Sequence, residues 1–255
     1  MSSAQESEPV LRNAQPSAVQ DEGALRLLRD GRLEVAGRLV EATNMTLYCS
    51  LTLGGRTAAC VYKPVRGERP LWDFPDGTLA AREVAAFEVS QATGWGIVPP
   101  TVYRDGPFGP GMCQLWIDSE HEIDLMRLVR SRHPGLRRMS VFDAVVNNAD
   151  RKGGHLLPLP DGHVYGVDHG VCFAAEDKLR TVLWQWRGKP LARDAVAVLA
   201  KLERDIESGA LGRRLRQLLT LAEVEATWNR VRRLLDTGVH PYPSEDWPAI
   251  PWPPI

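Results

Sequence analysis

A short hairpin pattern with an aspartate at each end constrains this chain more than any other feature. Two apolar runs, residues 156–159 and 163–167, flank a Pro-Asp-Gly turn signal, which is typical of a β-hairpin. Asp150 precedes the first run and Asp168 follows the second. Because the two open ends of a hairpin lie side by side, we expect both carboxylates to face one small space.

Two carboxylates in that arrangement suit phosphoryl transfer from a nucleotide. One orients or deprotonates the attacking hydroxyl, and the other holds a metal ion that bridges the phosphates. We take Asp150 and Lys152 as candidate catalytic residues and Asp168 as a candidate metal ligand. Asp-Gly sequences are also common in plain turns, because aspartate bonds its own backbone and glycine accepts positive φ, so the hairpin alone leaves a structural interpretation open.

Charged residues around the hairpin favour the phosphate-binding interpretation. Asp150 is followed by Arg151 and Lys152, and nucleotide phosphates would supply partners for these cations. A surface ion-pair cluster is the alternative. His155 stands where a second metal or phosphate contact would fall, although an isolated histidine is often a hydrogen-bonded structural residue.

Lys63 is the candidate nucleotide lysine in the first half of the chain. It ends a second predicted hairpin, with strands at 45–53 and 57–62, whose residues suit a pleated sheet. An ammonium there can reach phosphate oxygens, and Glu83 on the following predicted helix is its expected partner, with Glu88 as the alternative. The ordinary interpretation of a lysine at a strand end is a solubilising edge charge.

The segment 40–44 lies where a phosphate-covering loop would be expected. It contains no glycine, but backbone N–H groups can cradle phosphates, and Thr43 and Asn44 could add side-chain contacts. A plain connection between strands is the alternative.

The chain divides into four segments. Residues 1–22 are polar and are expected to form a disordered leader. Residues 31–118 are strand-rich, with one helix capped by Thr78, and residues 119–236 are helical apart from the hairpin. The segment 237–255 is rich in proline, which excludes regular structure, and its tryptophans, Trp247 and Trp252, are expected to pack along the body. A proline-motif ligand is the alternative for this tail.

Composition excludes several classes of protein. The formal net charge is −1, from 31 Lys and Arg against 32 Asp and Glu, which argues against a nucleic-acid binder. The four cysteines show no metal-binding spacing. We find no stretch long enough to span a membrane and no signal peptide, so the sequence predicts a cytoplasmic protein.

Three segments carry a resemblance to a known family. Residues 148–157 resemble the catalytic loop of type II phosphatidylinositol 4-kinases, residues 167–170 their metal-binding segment, and residues 62–64 their nucleotide lysine. The chain therefore resembles the phosphatidylinositol 3-/4-kinase-like branch of the protein-kinase-like superfamily, including small actinobacterial proteins of that branch, and HipA-type kinases share the plan. The resemblance implies an α+β, bilobal fold with a β-rich N-lobe, a helical C-lobe and the catalytic hairpin at the hinge.

The resemblance also implies roles for single residues. Asp150 would be the catalytic aspartate and Asp168 a magnesium ligand, while Lys63, steadied by Glu83, would contact the α- and β-phosphates. The expected cofactors are ATP and Mg²⁺, with Mn²⁺ as the alternative metal. The strand that would meet adenine through its backbone comprises Gln114, Leu115, Trp116 and Ile117.

One position departs from the family pattern. His155 stands where the family has an asparagine that binds the second metal, and imidazole is a softer ligand than magnesium prefers. His155 is therefore only a candidate metal ligand, and its presence raises the alternative of a nucleotide-binding pseudokinase.

The expected function is transfer of the γ-phosphate of ATP to a hydroxyl of a protein or small molecule. A lipid acceptor is disfavoured because the chain has no amphipathic basic helix and no lipidation motif. A nucleotidyl transferase that binds ATP in reversed orientation is the second alternative. A metal-dependent hydrolase built on the two aspartates is the third, and it would leave Lys63 and Glu83 without a role.

Overall fold

The computed structural model describes residues 18–39, 44–119 and 123–254, with side chains from residue 22 onward. Its elements, in chain order, are α1 (Ala18–Asp30), β1 (Arg32–Arg38), β2 (Leu47–Leu53), β3 (Arg56–Pro64), α2 (Leu79–Thr93), β4 (Thr101–Gly106), β5 (Gly109–Leu115), α3 (Leu125–Arg130), α4 (Pro134–Val146), β6 (Leu156–Pro158), β7 (Val164–Gly166), α5 (Arg193–Ser208), α6 (Ala210–Leu218) and α7 (Leu221–Thr237).

The first part is a five-stranded antiparallel sheet in the order β1-β2-β3-β5-β4. The predicted β2–β3 hairpin turns at Gly54 and Gly55, whose φ angles of 56° and 77° lie in the left-handed region that favours glycine. Alternate residues of β2 are buried, as the sequence pattern predicts, and Leu28 of α1 packs in the same apolar cluster.

Helix α2 carries Glu83 and ends where the sequence predicts, at Gly94, with φ of 68°. Thr78 occupies the N-cap position, as predicted, but its hydroxyl makes no capping bond because it donates to the carbonyl of Pro75. The carboxylate of Glu68 accepts from Leu79 N at 3.1 Å and Ala80 N at 2.8 Å instead. This cap satisfies two N–H groups that a helix start leaves without partners.

The second part is helical and surrounds the predicted aspartate hairpin. Strands β6 and β7 pair with Leu156 opposite Gly166 and Pro158 opposite Val164, which confirms the hairpin. Helices α4, α5 and α7 share one apolar core. Helix α7 begins with a capping box between Thr220 and Glu223.

One local prediction needs correction. Helix α1 begins at Ala18, so the predicted leader boundary at residue 22 is too late; residues 1–17 lie outside the described residues.

Trp184 and Trp186 form a 3₁₀ turn closed by Arg187 N to Trp184 O at 3.1 Å. Both indoles are buried, and that of Trp184 donates to Ala249 O.

The tail from Gly238 contains no helix or strand among its described residues. Trp247 stacks on Trp72 with ring centroids 6.0 Å apart, whereas Trp252 is 85% exposed. The prediction that both tail tryptophans pack on the body is therefore wrong for Trp252. No helix within the described ranges is both long and apolar enough to cross a membrane.

Candidate active site

Lys63, near the end of β3, lies between two carboxylates. Its Nζ is 2.7 Å from Glu83 Oε1 and 2.9 Å from Asp168 Oδ1. Glu83 comes from α2 and Asp168 from the loop after β7, so three elements contribute one residue each. The alternative partner, Glu88, pairs with Arg214 at 2.8 Å.

The charges of this triad stabilise one another. Burial by itself would lower the pKa of Lys63, but the charges of Asp168 and Glu83 outweigh it and raise that pKa above its ordinary value. The Lys63 ammonium in turn holds the pKa of Asp168 well below its usual range. Burial raises the pKa of Glu83, the most enclosed of the three. Lys63 and Asp168 are thus a cation and an anion at neutral pH.

The backbone conformation of Asp168 allows its side chain to contact Lys63. Asp168 has a φ of 61°, a left-handed conformation that costs a non-glycine residue of order 1–3 kcal/mol. The turn directs the carboxylate of Asp168 to Lys63, while the next amide, His169 N, donates to Glu83 Oε2 at 2.9 Å. Glu83 therefore binds both the lysine and the loop that carries the second carboxylate.

Asp150 lies close enough to Asp168 for the two charges to interact, as the hairpin geometry predicts. Burial raises the pKa of Asp150 above its ordinary value, and the negative charge of Asp168 raises it further, against the opposing charges of Lys152 and Arg180. Lys152 Nζ is 3.1 Å from Asp150 Oδ2, and Asp150 N donates to Asn148 Oδ1 at 2.9 Å. The Asp150 side chain keeps about a third of its surface exposed.

His155 faces the other oxygen of Asp168, with Nε2 3.6 Å from Oδ2. Burial lowers the pKa of His155 to about 4, so the ring is neutral. Its Nδ1 accepts from Lys152 N at 3.5 Å, which leaves the ring proton on Nε2, directed at Asp168. At 3.6 Å the contact of Nε2 with Asp168 is longer than a hydrogen bond, and with the proton assigned to Nε2 this nitrogen presents no lone pair to a metal.

Arg151 does not serve as a phosphate-binding cation, contrary to the sequence-based interpretation. Its side chain is fully buried and pairs with Asp143 of α4 at 2.9 Å. The same guanidinium donates to Val167 O at 3.0 Å and contacts His169 Nε2 at 2.6 Å. Arg151, which precedes the hairpin, therefore bonds on its buried side to Val167 and His169, which follow the hairpin. A lone aspartate in the apolar sequence of α4 was the signal that could have predicted this partner.

A second buried pair fixes α2, and sequence reasoning missed it. Arg82, next to Glu83, bonds through NH2 to Glu223 Oε1 at the start of α7. Its NH1 donates to Cys172 O at 2.7 Å. Helix α2 is thereby joined to α7 and to the loop that follows Asp168.

Several other residues predicted to contact the nucleotide form hydrogen bonds to protein groups. Thr43 lies outside the described residues, and Asn44 Oδ1 accepts from Arg69 N at 2.9 Å. The side chain of Gln114 donates to Thr101, and the amides of Leu115 and Trp116 donate to Pro100 O and Ala59 O. These groups are engaged within the sheet, and Ile117 is buried just beyond. A contact of this strand with adenine through its backbone therefore stays a prediction.

The residues of the triad also line a pocket. Asn44, Lys63, Glu68, Glu83 and Asp168 border the same opening. Within the described ranges no group of three or more His, Cys, Asp or Glu is arranged around a metal position. A hard cation would therefore depend on carboxylate oxygen from Asp168, with phosphates and water completing its shell, which is how Mg²⁺ is commonly held beside a nucleotide.

This architecture is that of protein kinases. The crystal structure of the Golgi casein kinase with Mn/ADP bound superposes with a TM-score of 0.60 at 13% identity, covering 87% of this chain and 76% of that one. The Helicobacter pylori proinflammatory kinase CtkA gives a TM-score of 0.51 at 11% identity, covering 83% of this chain and 94% of that one. The α+β kinase-like fold, with an antiparallel N-terminal sheet and a helical C-terminal part, is therefore confirmed.

The sequence comparison identifies the family. Protein Rv2133c of Mycobacterium tuberculosis is 46% identical over 263 residues, covering 89% of this chain and 94% of the relative. The chain belongs to the family of Rv2133c. No protein-family model matches it.

Proposed function

We propose that this protein is an ATP-dependent phosphotransferase that moves the γ-phosphate to a hydroxyl of a protein or small molecule. The observation that carries the proposal is the contact of Lys63 with both Glu83 and Asp168, at 2.7 and 2.9 Å, on a kinase-like fold. The motif resemblance described above further supports a relation to type II phosphatidylinositol 4-kinases.

Lys63 would bind the phosphates of the nucleotide. It stays charged at neutral pH, and its ammonium has three donor hydrogens, two of which point to Glu83 and Asp168. Glu83 is 1% exposed, so it would keep holding the lysine while the more exposed Asp168 turns toward an incoming nucleotide.

Asp150 would orient the acceptor hydroxyl and take its proton. Burial raises the pKa of Asp150, which makes the carboxylate a better proton acceptor than an exposed aspartate. Lys152 keeps it oriented through the 3.1 Å contact.

Asp168 would hold Mg²⁺ or Mn²⁺ together with the nucleotide phosphates. Such an ion supplies positive charge that offsets the charge developing on the phosphates. The suppressed pKa of Asp168 keeps the carboxylate ionised, and the neutral ring of His155 lies 3.6 Å from its second oxygen. His155 would thus support the site without being a ligand.

The decisive experiment follows γ-labelled ATP with a cell extract as acceptor source, in Mg²⁺ and then Mn²⁺. Asp168→Asn is compared with wild type and with Asp161→Asn, a matched control on the exposed turn of the same hairpin. We expect metal-dependent label transfer that falls at least about 100-fold in Asp168→Asn, or about 2.7 kcal/mol, and is unchanged in Asp161→Asn. Equal transfer by both variants would contradict the proposal.

A nucleotide sensor without turnover is the second candidate, and one observation favours it. Both oxygens of Asp168 already face protein groups, Lys63 at 2.9 Å and His155 at 3.6 Å, and these groups would compete with a metal for the carboxylate. ATP binding with no movement of the γ-label would support this sensor. Label transferred from α-phosphate and none from γ-phosphate would identify nucleotidyl transfer instead.

A further inference from the structure

The C-terminal tail, here residues 247–254, packs directly against the loop that carries Asp150. Pro254 O accepts from Gly153 N at 2.8 Å, three residues beyond the aspartate. Closer to the start of this tail, Pro248 O accepts from Arg180 Nε at 3.2 Å. The tail is therefore part of the surroundings of the candidate base.

An aromatic contact holds the other end of this tail. Trp247 stacks on Trp72, which lies in the segment before α2, and Lys178 Nζ is 4.8 Å from the Trp247 ring centroid. Lys178 is itself buried and pairs with Asp73 at 3.2 Å. The tail thus joins the segment between β3 and α2 to the catalytic loop.

The tail bonds to the exposed backbone edge of residues 180–182, to which an extended peptide could otherwise bind. Residues 180–182 pair on one side with the catalytic loop, through Arg180 N to Asn148 O at 2.9 Å and Val182 N to Arg151 O at 3.1 Å. The intervening amide, Thr181 N, donates to Ala249 O of the tail at 3.1 Å. An extended polypeptide binds by adding its backbone to such an edge, and here the tail already does so.

Two side chains, one on the tail and one on the segment that the tail contacts, are not fully engaged by other residues. Trp252, two residues before Pro254, is 85% exposed, which is unusual for an indole and marks a surface suited to stacking. Arg180 lies close enough for its charge to lower the pKa of Asp150, against the larger effect of burial. Of its three guanidinium nitrogens, only Nε is bonded to another described residue.

We propose that the tail forms one wall of the acceptor site and restricts the acceptor to a small polyhydroxylated molecule, a sugar or a polyol. The apolar face of the acceptor would stack on Trp252, and its oxygens would bond to the free nitrogens of Arg180. This inference rests on the proposed function, whose acceptor class it narrows.

The transfer balances with ATP as the co-reactant. A bond forms between the acceptor oxygen and the γ-phosphorus, while the bond from that phosphorus to the β–γ bridging oxygen breaks. The hydroxyl proton passes to Asp150, and ADP leaves with the bridging oxygen and its electron pair.

The test uses the full chain with γ-labelled ATP and three sets of acceptors: free hexoses and polyols, hexose monophosphates, and peptides containing serine and threonine. Trp252→Ala is compared with Tyr242→Ala, another exposed aromatic residue of the C-terminal segment at 68% exposure. We expect a sugar, sugar phosphate or polyol to be labelled. Trp252→Ala should raise the KM for that acceptor about tenfold, the size of a lost stacking contact, with the KM for ATP unchanged, and Tyr242→Ala should change neither.

The outcomes separate this inference from the proposed function. Efficient labelling of peptides by the wild-type chain, or an unchanged acceptor KM in Trp252→Ala, would overturn the inference and leave the kinase assignment standing. ATP hydrolysis with no labelled sugar or polyol would do the same. Absence of ATP binding, measured first by calorimetry, would refute the proposed function and this inference with it. Labelling of hexose monophosphates alone would support the inference and identify Arg180 as an anion contact.

Discussion

Two clusters of charge meet at the segment formed by Asp168 and His169, and they differ in how exposed their side chains are. In the triad, the side chains of Lys63 and Asp168 are 20% and 51% exposed. In the pair behind the hairpin, Arg151 and Asp143 are both 0% exposed. The sequence predicted phosphate contacts for Lys63 and, less specifically, for the cations beside Asp150, of which Arg151 is one.

The two clusters differ in how many hydrogen-bond donors of their cations already have partners in the protein. All three guanidinium nitrogens of Arg151 are bonded, to Asp143, Val167 O and His169, so the residue is structural. Lys63 is a compact charge on a flexible stem beside a half-exposed carboxylate that can move. Unused bonding capacity at a pocket, more than charge itself, distinguishes the cluster suited to ligand binding.

The largest effect is expected from breaking the buried ion pair between Arg151 and Asp143. Arg151→Met would leave Asp143 buried without its partner, which costs about 3–5 kcal/mol of unfolding free energy. Lys63→Met should cost less, about 1–3 kcal/mol, because water can solvate the half-exposed Asp168 and the buried Glu83 keeps the amide of His169 as a partner, yet it should abolish transfer. Urea denaturation followed by fluorescence measures both variants, and similar losses in the two would refute the distinction.

The next effect concerns the pair that fixes α2. Arg82→Met and Glu223→Gln each remove one partner, while glutamine preserves the helix cap at Thr220. We expect about 3 kcal/mol of destabilisation from each. The double variant should lose about 1–3 kcal/mol less than the sum of the two. Strict additivity in a double-mutant cycle would show that the pair contributes no coupling.

Acidification should weaken the fold through buried histidines. Burial lowers the pKa of both His155 and His240 to about 4, against about 6.5 in an unfolded chain. Between these values the unfolded state binds more protons, so stability falls as pH is lowered from about 6.5 to 4. His240→Gln should reduce that slope by up to about 1.4 kcal/mol per pH unit. An unchanged slope in denaturation curves across this range would contradict the assignment.

The smallest effect is expected at His155. His155→Asn replaces one neutral donor facing Asp168 with another, so transfer in Mg²⁺ should stay within about threefold of wild type, or about 0.7 kcal/mol. The ratio of rates in Mn²⁺ and Mg²⁺ provides the second readout, and it should also be nearly unchanged. A large rise in the Mg²⁺ rate would show that His155 impairs the natural protein.

Local pattern was enough to predict much of the fold. The β2–β3 hairpin, the end of α2 at Gly94 and the aspartate hairpin are all read from alternation, turn residues and glycine, which act within about ten residues. The proximity of Asp150 and Asp168 follows from the same local rule, since the residues flanking a hairpin meet whatever surrounds them. The pairing of Lys63 with Glu83 was predicted because a helix follows the strand directly.

The tertiary structure decided which charges are free and which are buried. Arg82 and Glu223 are 141 residues apart, and Gly153 and Pro254 are 101 residues apart, so no local periodicity could pair them. Burial is a property of the assembled core, and the pKa of a group and its remaining bonding capacity both follow from burial. The sequence by itself therefore determined where carboxylates and cations stand along this chain; only packing decided that Lys63 faces a pocket and Arg151 the core.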